Sequence, residues 1–195
     1  MSSISALANI HQHGQFGDYE GKKGDNLLKI SEKKNLLIVQ IVQYKNSTIS
    51  IEKIDIDKLK LKDTPLSVVF NENTRILWNG PKNWLLVSTK KDLIKNVSLA
   101  FKSTDFAVTD ISHSRAIIEI EGSYSKEVLK KGSPFNFDVL EKNNSINSLY
   151  NNIAFTADIV NVSPYKVRLF TLRSFGESFY HSISDASLEF GYETI

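Results

Sequence analysis

Apolar positions along this 195-residue chain fall into two rhythms, short β-branched runs and stripes at i, i+3 and i+4, which together predict a mixed fold. Residues 36–42 read L-L-I-V-Q-I-V, a strand buried on both faces. A turn at Lys45-Asn46-Ser47 leads to a second strand over 48–54. Residues 55–63 alternate charge with isoleucine and leucine and fit an edge strand or a loop. Residues 66–70 form a short strand that ends in the polar turn 71–74. The apolar runs 75–78 and 84–87 flank Asn79-Gly80-Pro81, where proline steers its predecessor away from helix and glycine accepts whatever the turn demands. A helix is predicted over about 90–101, with Leu93, Val97, Ala100 and Phe101 on one stripe.

The second part of the chain repeats the mixture. Residues 106–111 and 115–121 read as strands; in the latter Ala116, Ile118 and Ile120 share one face, and Glu119 and Glu121 take the other, toward solvent or a basic partner. Ser123 is placed to cap a helix running to Lys131, with Gly132 just beyond its end and Pro134 forbidding continuation. Residues 136–152 are asparagine-rich and read as a long loop. Strands at 153–160 and 165–172 pair across 161–164. Ser174 and Glu177 form a capping box for a last helix, whose stripe is Phe175, Phe179, Ile183, Ala186 and Phe190 and whose stop is Gly191. The expected class is α+β, with antiparallel sheets and helices packed on one face. Residues 25–195 form one domain, which admits two pseudo-repeated halves, 25–101 and 102–195. Residues 1–24, polar and glycine-containing, read as a mobile or partner-bound arm without the apolar stretch of a secretory signal.

Composition narrows the function classes. With 41% hydrophobic and 24% charged residues the chain has the balance of a globular protein. Its 24 basic residues barely exceed its 22 acidic ones, and only Arg75, Arg115, Arg168 and Arg173 are arginines, a poor inventory for phosphate recognition. Nucleic acid is therefore not an expected partner. The chain has no cysteine, which removes thiolate metal sites, disulfides and thiol nucleophiles and agrees with a cytoplasmic location. No apolar run approaches the roughly 20 residues of a membrane span.

The candidate chemistry is sparse. Asp110, Ser112, His113 and Arg115 are residue types of a nucleophilic relay, but on an extended segment they alternate faces, so turn and cap duties are the expected roles of Asp110 and Ser112. A hydrolase using Ser112 and His113 is the remaining enzymatic option. His11 and His13 lack a third metal ligand nearby, and His181 falls opposite the phenylalanine stripe of the last helix. Gly14, Gly17, Gly21 and Gly24 neither follow a strand nor open a helix, so they do not make a phosphate loop. No catalytic, cofactor-binding or metal residue is assigned.

Three segments, W-N-G-P-K-N-W-L-L from Trp78, D-I-S-H-S-R from Asp110 with G-x5-V-L-K-K-G-S-P behind it, and R-S-F-x9-D-A-S-L-E-F-G from Arg173, are similar to the gamma subunit of heterotetrameric sarcosine oxidase. Family members commonly carry K-G-C-P-L-D where this chain has Ser133, Phe135 and Asn136. The resemblance implies a fold related to the folate-binding domain of the glycine-cleavage T-protein and a subunit without a catalytic group of its own. It implies alpha, beta and delta partner subunits that carry FAD, FMN, NAD, zinc and the tetrahydrofolate site, in an enzyme that demethylates sarcosine oxidatively to glycine and hydrogen peroxide. Aromatic residues lead interface cores, which makes Trp78, Trp84, Phe135 and Phe137 the expected docking anchors. The alternative is a stand-alone folate-binding module of the T-protein type; its iron–sulfur repair branch shows K-G-C-[YF]-x-G-Q-E, whose cysteine, glutamine and acid are missing here.

Overall fold

The computed structural model describes residues 4–22 and 27–195. Along the chain the strands are β1 (Gly14–Phe16), β2 (Leu28–Glu32), β3 (Leu37–Gln43), β4 (Asp55–Ile56), β5 (Leu59–Lys60), β6 (Val68–Phe70), β7 (Thr74–Gly80), β8 (Asn83–Ser88), β9 (Phe106–Asp110), β10 (Arg115–Glu121), β11 (Ser145–Tyr150), β12 (Ile153–Val162), β13 (Tyr165–Leu172) and β14 (Tyr192–Thr194). The α-helices are α1 (Leu93–Ala100), α2 (Ser125–Gly132) and α3 (Gly176–Ser187). This is the α+β class read from the sequence. The chain forms two compact units, the first from residues 1–34, 113–142 and 147–195 and the second from 35–112 and 143–146. The division therefore does not fall at Phe101. Strand β9 stays in the second unit because it hydrogen-bonds to β3 from Val39↔Asp110 to Gln43↔Phe106.

The second unit is built on a five-stranded sheet ordered β6-β7-β8-β3-β9. Its apolar interior gathers Val39 and Ile41 of β3, Ile76 of β7, Trp84 and Leu86 of β8, and Leu93, Val97 and Phe101 of α1 and its end. The predicted α1 stripe is thus the packed one. Strand β3 pairs with β8 and β9, not with the segment after it, so residues 48–54 make no strand and end in a 3-10 turn at Ile51–Lys53. The ambiguous 55–63 stretch is a small hairpin, β4 against β5, turned by Asp57 and Lys58 at positive φ, the arrangement that matches strand twist.

The first unit carries a seven-stranded sheet ordered β1-β14-β2-β10-β13-β12-β11. Helices α2 and α3 pack on one face of β10 and β13. Register puts Ile118, Ile120, Leu169, Val167, Ala157 and Ile159 on that face, all at or near complete burial. Beneath α3, Phe179 meets Phe155 and Tyr150 at ring separations of 5.6 and 5.9 Å. The N-terminal arm, where described, is docked on this unit: β1 pairs with β14, Leu7 is fully buried, and Asp18 N–H donates to the Leu188 carbonyl. Two glycines permit that approach. Gly17 and Gly191 have φ of +73° and +69°, and a Cβ on either would stand 2.1 Å from Leu188 O or 2.2 Å from Asp18 O. Residues 1–3 and 23–26, part of the expected arm and its exit, lie outside the described residues.

Three local expectations are corrected. Ser123 does not cap α2; the residue ahead of the helix is Tyr124, and the Ser125 hydroxyl donates back to the Gly122 carbonyl. The Ser174–Glu177 capping box does not form, because Arg173–Phe175 makes a 3-10 turn and α3 starts at Gly176. The asparagine-rich 136–152 segment contains β11, since Ser145, Ile146 and Tyr150 are buried between the exposed polar positions.

Candidate functional site

The three sequence segments sit on the β7–β8 hairpin, on the end of β9 through β10 and α2, and on the 3-10 turn and helix α3. In the hairpin Trp78 faces Trp84 across the strands, with a bulge at the step to Gly80↔Asn83. Only 1% of Trp84 is exposed, and its indole N–H donates to the Lys62 carbonyl at 2.9 Å. Trp78 is half-buried and donates to the Asp63 carboxylate at 2.8 Å. Phe137 is completely buried, and half-buried Phe135 meets its ring edge-on at 5.5 Å. Trp84 and Phe137 therefore build the interior and leave no area for a partner, so the expectation of docking anchors holds no further for these two. Periodicity placed them on apolar runs, and an aromatic residue on such a run fills a core as readily as it leads an interface.

At Asp110 and Ser112 the geometry is a self-contained turn. The Asp110 carboxylate accepts from the Ser112 amide at 2.9 Å and from its hydroxyl at 2.6 Å, and the same hydroxyl oxygen accepts the Ile38 amide at 2.9 Å. Ser112 is thereby committed to pinning β9 to β3, and His113 is exposed on the following turn. Near the N-terminus, His11 Nδ1 lies 3.1 Å from the Tyr180 hydroxyl and its Nε2 lies 3.4 Å from the Ile195 carbonyl. Burial holds its pKa below the usual imidazole value, against the Ile195 carbonyl, which favours the cation. His11 and His13 contact each other edge-on at 5.8 Å, and no cluster of three or more metal-ligating side chains occurs among the described residues.

Between α2 and α3 lies an open depression of about 570 Å³ lined by Lys131, Tyr150, Asn151, His181 and Asp185. Its strongest groups are engaged within the fold. Lys131 Nζ donates to the Ala186 carbonyl at 2.7 Å, pairs with Glu189 at 3.0 Å and lies 4.7 Å from the centre of the Phe190 ring. The Tyr150 hydroxyl donates to the Val128 carbonyl at 2.9 Å; burial, with a smaller contribution from Asp185, pushes its pKa up to about 12. A base or acid working near neutral pH needs a pKa near that pH, and Tyr150 is far from it. His181 and Asp185 stand exposed on successive turns of α3.

A row of charge crosses the face of the first unit's sheet away from the helices. Glu119 is 7% exposed, so of the two expected settings, solvent or a basic partner, it does not take the first. It accepts from Arg168 at 2.9 and 3.2 Å and pairs with Lys33 at 3.0 Å. Burial opposes its ionisation, yet Arg168 and Lys33 outweigh that and hold its pKa below the ordinary carboxylate range. Asp158, fully buried, is the cross-strand neighbour of Arg168 on β12. Sequence alternation put Glu119 on the correct face but carried no sign that the face is covered. Arg115, the last residue of the D-x-S-H-x-R segment, opens β10 half-buried, and burial lowers its pKa with no other cause resolved.

No protein-family model matches this chain, and a search of curated proteins gave no significant relative. Solved structures do match. A chain of the heterotetrameric sarcosine oxidase from Corynebacterium sp. U-96, in complex with pyrrole 2-carboxylate, superposes with a TM-score of 0.78 at 20% identity, over 96% of this chain and 95% of that one. The glycine cleavage system aminomethyltransferase T from Bartonella henselae superposes with a TM-score of 0.62 at 9% identity, over 88% of this chain and 48% of that one. The fold is thus of the T-protein-related kind found in the sarcosine oxidase assembly. No helix among the described residues is long and apolar enough to cross a membrane.

Proposed function

We propose that this chain is a non-catalytic structural subunit, of the gamma type, in a heterotetrameric sarcosine oxidase. The observation that carries the reading is the near end-to-end correspondence with one chain of such an oxidase, 96% of this chain against 95% of that one. The serine of the relay-like Asp110–Arg115 segment supports it, since Ser112 is committed to Asp110 and Ile38. In this reading FAD, FMN, NAD and tetrahydrofolate are held by the alpha and beta subunits and zinc by the delta subunit. Sarcosine is oxidised there to glycine and hydrogen peroxide, and this chain contributes docked surface that stabilises the assembly by mass action. A cytoplasmic location belongs to the same proposal. Co-expression with the large flavoprotein subunits of the same organism tests it. The chain is expected to co-purify with them in fixed stoichiometry, and large subunits that assemble fully without it would overturn the reading.

The likeness to an aminomethyltransferase T favours one second reading, a stand-alone folate-binding module. Titration of the purified chain with tetrahydrofolate separates the two, because saturable micromolar binding belongs only to the second.

A further inference from the structure

The N-terminal arm is fastened to the first unit at several points. Leu7 is completely buried, and a Cβ placed on Gly176 would stand 3.4 Å from the Ala6 Cβ, 3.6 Å from a Leu7 methyl and 3.0 Å from the Ala116 Cβ. Residues 6 and 7 therefore lie over the start of α3 and the start of β10. The Ser5 hydroxyl donates to Glu32, Arg173 donates to the Ile4 carbonyl, and β1 pairs with β14. One further fastening can take up a proton near neutrality.

That fastening is His11. Its half-buried ring stands between α3 and the end of β14, with Nδ1 3.1 Å from the Tyr180 hydroxyl and Nε2 3.4 Å from the main-chain oxygen of Ile195. The Ile195 oxygen can only accept, so in the neutral ring the hydrogen sits on Nε2 and Nδ1 is left to accept from Tyr180. Tyr180 is only 4% exposed. Protonating Nδ1 would set one donor against another, and the hydroxyl would have to turn its hydrogen toward a new acceptor in a site almost closed to water. Tyr180 stays a hydroxyl throughout, because burial, then Tyr192 and Glu32, push its pKa up to about 12.

The groups around the ring divide. The Ile195 oxygen and Glu32 of β2 favour the cation, whereas His13 on the arm and Lys34 just past β2 oppose it. Burial is the largest influence and holds His11 below the ordinary imidazole value of 6.5. The docked arm thus binds fewer protons than a released one. The stabilisation from His11 is whole above about pH 6.5 and is lost as pH falls below it.

We propose that the contact of His11 with Tyr180 is a proton-sensitive latch, which holds the arm on the first unit while His11 is neutral and frees it around residues 6–11 when His11 is protonated, baring the start of α3 and of β10. The device resides within this chain and does not depend on the subunit reading.

The chain has no cysteine, so a nitroxide label on a single Asn9→Cys exchange, at an exposed arm position, reports on the arm alone. Electron paramagnetic resonance follows its motion in the full-length chain from about pH 7.5 to about pH 5, a window that brackets the imidazole value, with circular dichroism recorded alongside. The fast-moving fraction is expected to rise at least about fivefold on acidification while the circular dichroism stays constant. His11→Gln, whose amide keeps a donor and an acceptor without titrating, is expected to hold the label slow throughout. Tyr180→Phe leaves no hydroxyl to strand and is expected to flatten the rise, and His13→Gln is expected to respond as wild type does. A wild-type label equally slow at both ends, or one freed by alkali and not by acid, would overturn the latch. So would a His11→Gln chain that releases the arm in the wild-type window, a His13→Gln chain that no longer responds, or release accompanied by unfolding of the whole unit.

Discussion

The two units handle their polar groups differently. In the second unit they are satisfied by compact local clamps. Asp57, in the β4–β5 turn, accepts from Lys90 at 2.7 Å, from the Thr74 hydroxyl at 2.7 Å and from Asn71 at 3.1 Å, and Trp84 and Trp78 donate to Lys62 and Asp63. In the first unit charge is strung across strands, from Lys33 to Glu119 to Arg168. The lesson is that the tryptophan hairpin, whose sequence advertises aromatics, commits Trp84 to the core and both indole N–H groups to the preceding loop.

Exchanging the tryptophans sharpens this contrast most. Trp84→Ala removes a fully packed ring and is expected to lower unfolding stability by about 4 kcal/mol, measured in urea. Trp78→Ala, at a half-exposed site with one hydrogen bond to Asp63, is expected to lose about 1 kcal/mol. Equal losses would mean that both rings serve the core alike. Next in size, Glu119→Gln removes the buried carboxylate that joins Arg168 to Lys33 and is expected to cost about 3 kcal/mol, whereas the paired exchange Glu119→Leu with Arg168→Met should recover most of it. A double variant no more stable than the single one would show that the charged row holds the fold by more than its own pairing.

Legibility followed the range of the interactions. The helices over 93–100 and 176–187 and strands β3, β8, β10, β12 and β13 were readable because each carries its apolar period within itself. Strand β11 was not, since its buried Ser145, Ile146 and Tyr150 are interrupted by asparagine and serine, and its edge position depends on β12. The docking of the arm was hidden for a similar reason. Gly17 and Gly191 look like loop residues until the chain passes brought together by the fold make a Cβ impossible at either. Both helix caps were misread because a serine at cap spacing cannot reveal that a tighter turn precedes the helix.

Gly191→Ala is accordingly expected to cost about 2 kcal/mol, through positive φ and the clash with Asp18. It should also expose the arm to proteolysis near Gly17; an unchanged digestion pattern would mean that the arm is held by Leu7 and β1 alone.

The smallest effect concerns acid. Lys90, then Thr74 and Asn71, outweigh burial and hold the Asp57 pKa at about 2. A carboxylate with a depressed native pKa stabilises the fold above its unfolded value near 4, and loses that contribution as pH falls through about 4 toward 2. Allowing for solvent screening, about 1 kcal/mol is expected. Asp57→Asn should flatten that part of the acid-denaturation curve, and a curve of unchanged slope would assign the acid sensitivity elsewhere.

Whether this chain supports an oxidase without performing its chemistry is decided by sarcosine-dependent hydrogen peroxide production. The chain alone, the large and small subunits without it, and the complete mixture are assayed side by side. No turnover is expected from the chain alone, and assembled, active enzyme is expected to be lost when it is withheld. Turnover by the isolated chain, or full activity in its absence, would contradict that expectation.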